Sequence, residues 1–302
     1  MRVNIKSLPY RIFIYAVACG LSIAVVNFIT TSLIHRISTT SSMLFPVLTI
    51  SLMGFHIMIA CFMGMKYLCD KKQLYLAPIA FAFTCSALLM LGTIGSYPDW
   101  LVCAQGREIN QNDALIFYFF RNIMMAILFI AAIFLYRVRH LTAHSRKIHG
   151  AVLMSCFIFI SATLILSWIH SSNSSLLSIE FIDNLTYTFT PLWHNRIGWL
   201  LIIIWSLTLI LLIGLTRLRN IFWYSGAFFC TAYIFTLLVL LSTVSGNAHS
   251  WNQARLFETL STLFLILILL GDVFILYRES NERYVRSYQN SIRDPLTRLY
   301  NR

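Results

Sequence analysis

The sequence predicts an all-α, polytopic membrane protein of about eight transmembrane helices. Both termini are expected in the cytoplasm, with the last helix extended into it. Three observations predict this. Of 302 residues, 58% are hydrophobic and 11% charged, at a mean hydropathy of +0.74, more apolar surface than a soluble domain can bury. The apolar residues fall into eight continuous stretches near the ~20 residues that cross a ~30 Å hydrocarbon core. A β-barrel would alternate apolar and polar residues instead. Finally, lysine and arginine crowd one set of connecting segments.

The first apolar stretch, 12–34, follows a basic N-terminus. It is too long for a cleaved signal peptide and is read as a retained span. Further spans are predicted at 43–65, 74–95, 115–136, 151–169, 197–216, 221–244 and 257–277. With the N-terminus inside, the cytoplasmic segments hold 18 of the 23 lysines and arginines. The outer loops hold Arg36, Arg107, Arg196 and Arg255, and Arg121 lies within a span. The net charge of +12 is therefore assigned to membrane rims facing anionic headgroups, and no nucleic-acid partner is expected. Of seven cysteines, Cys19, Cys61, Cys85, Cys156 and Cys230 fall in spans, Cys69 is cytoplasmic and Cys103 faces outward. No disulfide framework or metal motif is visible.

The cytoplasmic loops 66–73, 137–150 and 217–220 are too short for a soluble domain. The outer loops 96–114 and 170–196 are the material for an outward-facing site. The second is expected to be irregular, with one short amphipathic piece. After the last span, residues 278–293 contain no Gly or Pro and many charges, so the helix can continue through them. Val285, Tyr288 and Ile292 are spaced as an a/d seam of about one heptad. A solvated helix and a short parallel coiled coil both fit that spacing. Asp294 before Pro295 then marks the end of one helix and the start of another, and Leu296 and Leu299 share a face.

The stretch 294–302, DPLTRLYNR, resembles the opening motif of the GGDEF domain of bacterial diguanylate cyclases, D-x-L-T-G-L-x-N-R. Asp294, Leu296, Thr297, Leu299, Asn301 and Arg302 match it, and Arg298 stands where the family usually has Gly. The resemblance implies an enzyme that joins two GTP into cyclic di-GMP across a dimer, with magnesium held by carboxylates. Its GG(D/E)EF turn and metal-binding strand are not found among residues 1–302. No catalytic residue, metal ligand or cofactor is therefore assigned here, and Mg²⁺ and GTP are expected only for the missing catalytic domain. The membrane part resembles the membrane-associated sensor (MASE) domains, nearest the fourth type. The resemblance rests on Gln111-Asn112-Asp113, Phe117-Tyr118, Phe120-Arg121 and the set Trp251, Arg255 and Glu258. The implied organisation is a sensor domain over 1–277, a helical linker over 278–293 and the start of a GGDEF domain over 294–302.

Ionisable groups inside spans are functional suspects. Arg121 lies six residues inside its span, about 9 Å deep at 1.5 Å per residue. Asp272 lies near the opposite end of the last span, so Arg121 is expected to reach Glu258 or Asp113 instead. Asp113, Arg121, Arg255 and Glu258 form the candidate polar cluster for sensing, with structural ion pairing the plainer reading. His56 is the one histidine deep in a span, and a helix–helix hydrogen bond explains it. His140 and His144 share a helical spacing, but a solvated rim explains them.

The expected function is the sensory input module of a diguanylate cyclase in a bacterial inner membrane. The bilayer and a second copy, paired through the last helix and linker, are the expected partners, with a small ligand of unknown identity. A small-molecule transporter and a non-catalytic membrane partner of intact cyclases are the alternatives. No inverted repeat favours transport.

Overall fold

The computed structural model describes residues 8–37, 44–97, 110–142, 145–172, 174, 176–177, 179–183, 186, 188–242 and 248–292. Eight of its helices are long and apolar enough to cross a membrane. These are α1 (Leu8–Ile37), α2 (Leu44–Cys69), α3 (Leu76–Gly95), α4 (Gln111–Arg137), α6 (Arg146–His170), α7 (Gly198–Thr216), α8 (Ile221–Leu241) and α9 (Ala248–Ile292). A single short turn, α5 (Arg139–Thr142), follows α4. The helices extend past several predicted span ends because backbone hydrogen bonding continues where the apolar run stops. Thus α6 begins at Arg146, where Ser145 accepts the Ile148 amide, and α9 begins at Ala248.

The helices α3 and α4 form the centre and pack against one another. Around them lie α2, α7, α8 and α9, while α1 and α6 are peripheral and expose most of their side chains. Aromatic rings fill the middle: Phe83, Phe129, Trp205, Phe229 and Tyr233 pack with centroids 4.6–6.1 Å apart. Within that layer, the Trp205 indole donates to Asn122 at 3.0 Å. With lipid as apolar as the core, such packing and polar contacts hold the helices together.

Glycine sets the closest approach. A Cβ at Gly92 of α3 would lie 2.7 Å from the Phe117 ring of α4. One turn on, a Cβ at Gly95 would meet nothing within 4 Å.

The two ends of the bundle differ. The basic end carries Lys66, Lys71, Lys72, Arg137, Arg139, Arg217 and Arg219. There the Lys66 ammonium pairs with Asp272 of α9 at 3.7 Å and Tyr67 bonds His149 at 3.1 Å. The other end carries the long loops. The stretch from 171 to 192 departs from the irregular loop expected of it. Ile182–Asp183 pairs antiparallel with Thr188–Phe189, and a π-helical turn, Trp193–Ile197, leads into α7. This ribbon forms because Asn112 supplies partners that a free loop lacks, as described below.

Gly92→Ala should lower the melting temperature in detergent, by overpacking worth about 1–3 kcal/mol. Gly95→Ala should leave it unchanged. Equal effects from the two would refute the close approach at Phe117.

Candidate functional site

Glu258 of α9 lies between two guanidinium groups. Arg121 Nη2 of α4 is 2.6 Å from one carboxylate oxygen. Arg255 Nη1, one helical turn away on α9, is 2.9 Å from the other. All three side chains are at most 3% exposed. The i,i+3 spacing of Arg255 and Glu258 puts them on one face of α9, and that face meets the Arg121 side of α4.

Two cations and one anion leave a buried excess of positive charge. Aromatic faces take up part of it: Arg255 stacks over Phe45 at 4.8 Å, and Arg121 over Tyr118 at 5.0 Å. The remaining capacity is unused. Arg121 Nη1, Arg255 Nε, the Tyr118 hydroxyl and His56 Nε2 are buried without a hydrogen-bond partner among the described residues. A cavity of about 10 Å³ adjoins the cluster, lined by Phe45, Tyr118, Thr236, Leu240, Trp251, Ala254, Arg255 and Glu258. The cavity is at most water-sized, so the arrangement serves to hold α4 against α9 until the ion pairs separate.

The cluster is closed from the loop end by aromatic rings. Tyr97 packs on Phe45 at 4.8 Å, Phe45 on Trp251 at 5.7 Å, and Trp251 on Phe189 of the ribbon at 6.4 Å. Burial pushes the Tyr97 hydroxyl up to about 12, against the pull of Arg255. That ring is neutral at ordinary pH and adds no anion to the cluster.

Asp113 does not join the other three candidates. It lies eight residues before Arg121 on α4, about 12 Å along the helix axis. Its carboxylate instead accepts the Ser172 amide at 2.9 Å and the Ser172 hydroxyl at 2.5 Å. Helix periodicity explains the separation: the two residues cannot share a depth. Its neighbour Asn112 was not singled out as a site residue, yet it anchors the ribbon. Asn112 Nδ2 donates to the Ile179 carbonyl at 2.8 Å, and Oδ1 accepts the Phe181 and Ile182 amides at 2.7 and 3.2 Å. The string Gln111-Asn112-Asp113 thus fastens the long loop to α4.

His56 bonds Ser86 across α2 and α3 at 2.8 Å. Asp272 pairs with Lys66, a partner that sequence reasoning missed. Both residues sit at the basic ends of their spans, but equal depth alone does not say that α2 and α9 are neighbours. His140 is described, whereas His144 lies outside the described residues. So does the motif of Asp294, Leu296, Thr297, Leu299, Asn301 and Arg302.

Residues 39–277 match the MASE4 family, described as membrane-associated sensor, integral membrane domain. No solved structure matches the chain.

Replacing Glu258 with Gln strands two buried guanidinium groups and should cost about 3–5 kcal/mol. The triple change Arg121→Met, Arg255→Met, Glu258→Leu should recover most of that loss. Denaturant unfolding in detergent measures both. A triple variant as unstable as Glu258→Gln would show that the charges contribute net stability.

Proposed function

The chain belongs to the MASE4 family of membrane-associated sensors, and from that membership we propose that it is the membrane-embedded input module of a diguanylate cyclase. The observation that carries the reading is that Arg255 and Glu258, which meet Arg121 of α4, stand on α9. That helix runs unbroken from Ala248 to Ile292, and the sequence then continues directly into the GGDEF-like opening at 294–302. A cue that changes the cluster acts on the same rigid element that leads to the catalytic domain.

The remaining parts follow from charge and length. Basic residues at the Lys66 end favour a cytoplasmic placement of that end, which sets both termini inside. At 1.5 Å per residue, the 45 residues of α9 extend about 67 Å, more than twice a ~30 Å core. The larger part of the surplus, the 15 residues after Tyr277, falls on the basic side. It carries the i,i+4 pairs Arg278–Glu282 at 3.2 Å and Glu279–Arg283 at 3.8 Å. It also carries the exposed apolar residues Val285 and Tyr288. Two such helices pair in parallel through the seam of Val285, Tyr288 and Ile292, bringing two catalytic domains together.

The cue is read as a difference in stability between two arrangements of α9, since a ligand shifts an equilibrium only by its differential affinity. The ribbon rests on Trp251 through Phe189. Binding or displacement at the long-loop end therefore reaches the turn of α9 that carries Arg255.

Residues 1–302 fused to an active GGDEF domain should make cyclic di-GMP in cells. Arg121→Gln should change the output several-fold at equal protein level. An output indifferent to Arg121→Gln and Glu258→Gln would overturn the coupling through the cluster. In a cysteine-free background, Ser287→Cys should react with an impermeant maleimide only after the membrane is opened. Labelling of intact cells would reverse the topology. Purified 1–302 should not turn over GTP, and measurable cyclic di-GMP would show a catalytic centre within these residues.

A further inference from the structure

A second cavity lies away from the charged cluster, between α3, α4 and α6. Its volume is about 750 Å³, in the range of small-molecule sites. Its lining is graded along the helices. At the long-loop end stand Ser96, Asn110, Asp113, Ser167 and Ser172. Deeper in, by up to about 12 Å at 1.5 Å per residue, the wall is Leu88, Leu89, Leu91, Phe117 and Leu164. Trp168 stands at the rim and is 58% exposed, the position aromatic residues favour at a membrane–water boundary. Leu88 and Leu91 are exposed on the outside of the bundle, so the groove opens toward lipid.

The polar end is not neutral. Asp113 is 4% exposed, and among the described residues its carboxylate meets only Ser172, through the amide and the hydroxyl. The N-terminus of α4, capped by Asn110, supplies roughly half a positive charge. Among the described residues, no lysine, arginine or histidine lines the groove, and no ion pair involves Asp113. Buried carboxylates are ordinarily matched by a full cation.

We propose that this groove binds a membrane lipid with an ammonium headgroup. The lipid lies along the bilayer normal, its acyl chain against Leu88, Leu91 and Leu164. Its ammonium donates to Asp113 at the level of Ser96 and Ser172. The hydrocarbon gradient selects an amphiphile, and the unmatched carboxylate selects an amine-headed lipid over an anionic one. The groove is independent of the reading as a cyclase input module, and its test does not involve cyclic di-GMP.

The test is native mass spectrometry of the full chain released from nanodiscs holding equal amounts of phosphatidylethanolamine and phosphatidylglycerol. Phosphatidylethanolamine should be retained in preference. Asp113→Asn, which keeps an acceptor for Ser172, should weaken that retention about tenfold or more, as loss of a charge-assisted bond does. Gly95→Leu fills the groove where a Cβ meets nothing. It should abolish retention at an unchanged melting temperature. Equal retention of both lipids, or retention indifferent to both substitutions, would overturn the proposal. So would retention of added dodecylammonium without any of phosphatidylethanolamine, which would assign the groove to a free amine instead.

Discussion

In hydrocarbon a charge has no water to turn to, so every ionised side chain must be met by the protein. Glu258 is where this constraint acts most strongly. Its two oxygens are taken by guanidinium groups from two different helices. Both contacts together fix the relative placement of α4 and α9 at that depth for as long as the ion pairs hold. Around it, His56 ties α2 to α3 and Asn122 ties α4 to α7 through Trp205. The helices of the centre thus share a set of polar contacts at which sliding or rotation would uncover a charge or a donor.

The same constraint gives the loops their order. Asn112 and Asp113 lie at the first turn of α4, where side chains can reach back beyond the helix. Their bonds hold Ser172 and the strand at Ile182, and the ribbon brings Phe189 to Trp251. A segment that would have little reason to adopt structure alone is thereby fastened at both ends, to α4 by hydrogen bonds and to α9 by aromatic contact.

Much of this was legible in the residues. Eight apolar runs gave the spans because length and hydropathy are local properties. The i,i+3 relation of Arg255 and Glu258 was visible for the same reason. Depth along the normal, which helical rise converts from residue counts, removed Asp272 as a partner for Arg121 and left Glu258 or Asp113. The exclusion of Asp113 follows from that arithmetic too, since eight residues separate it from Arg121. Depth, however, says nothing of which helices are neighbours. The pairing of Lys66 with Asp272, the His56–Ser86 bond and the role of Asn112 depend on the lateral arrangement of the bundle, which no periodicity encodes. The ribbon at 182–189 was illegible for a further reason: two residues per strand are too few to show alternation, and its backbone partners come from a side chain about 70 positions away.

The pairing of Lys66 with Asp272 changes how α9 can move. Glu258 stands 14 residues on one side of Asp272, and Ile292 stands 20 on the other, roughly 21 Å and 30 Å along a helix. If α9 turns about that contact, it acts as a lever of the first kind with unequal arms. A sideways shift of about 1 Å at Glu258 emerges at Ile292 reversed in direction and enlarged to about 1.4 Å by that ratio. A bundle that holds α9 closely near Glu258 therefore leaves the larger displacement to its Ile292 end.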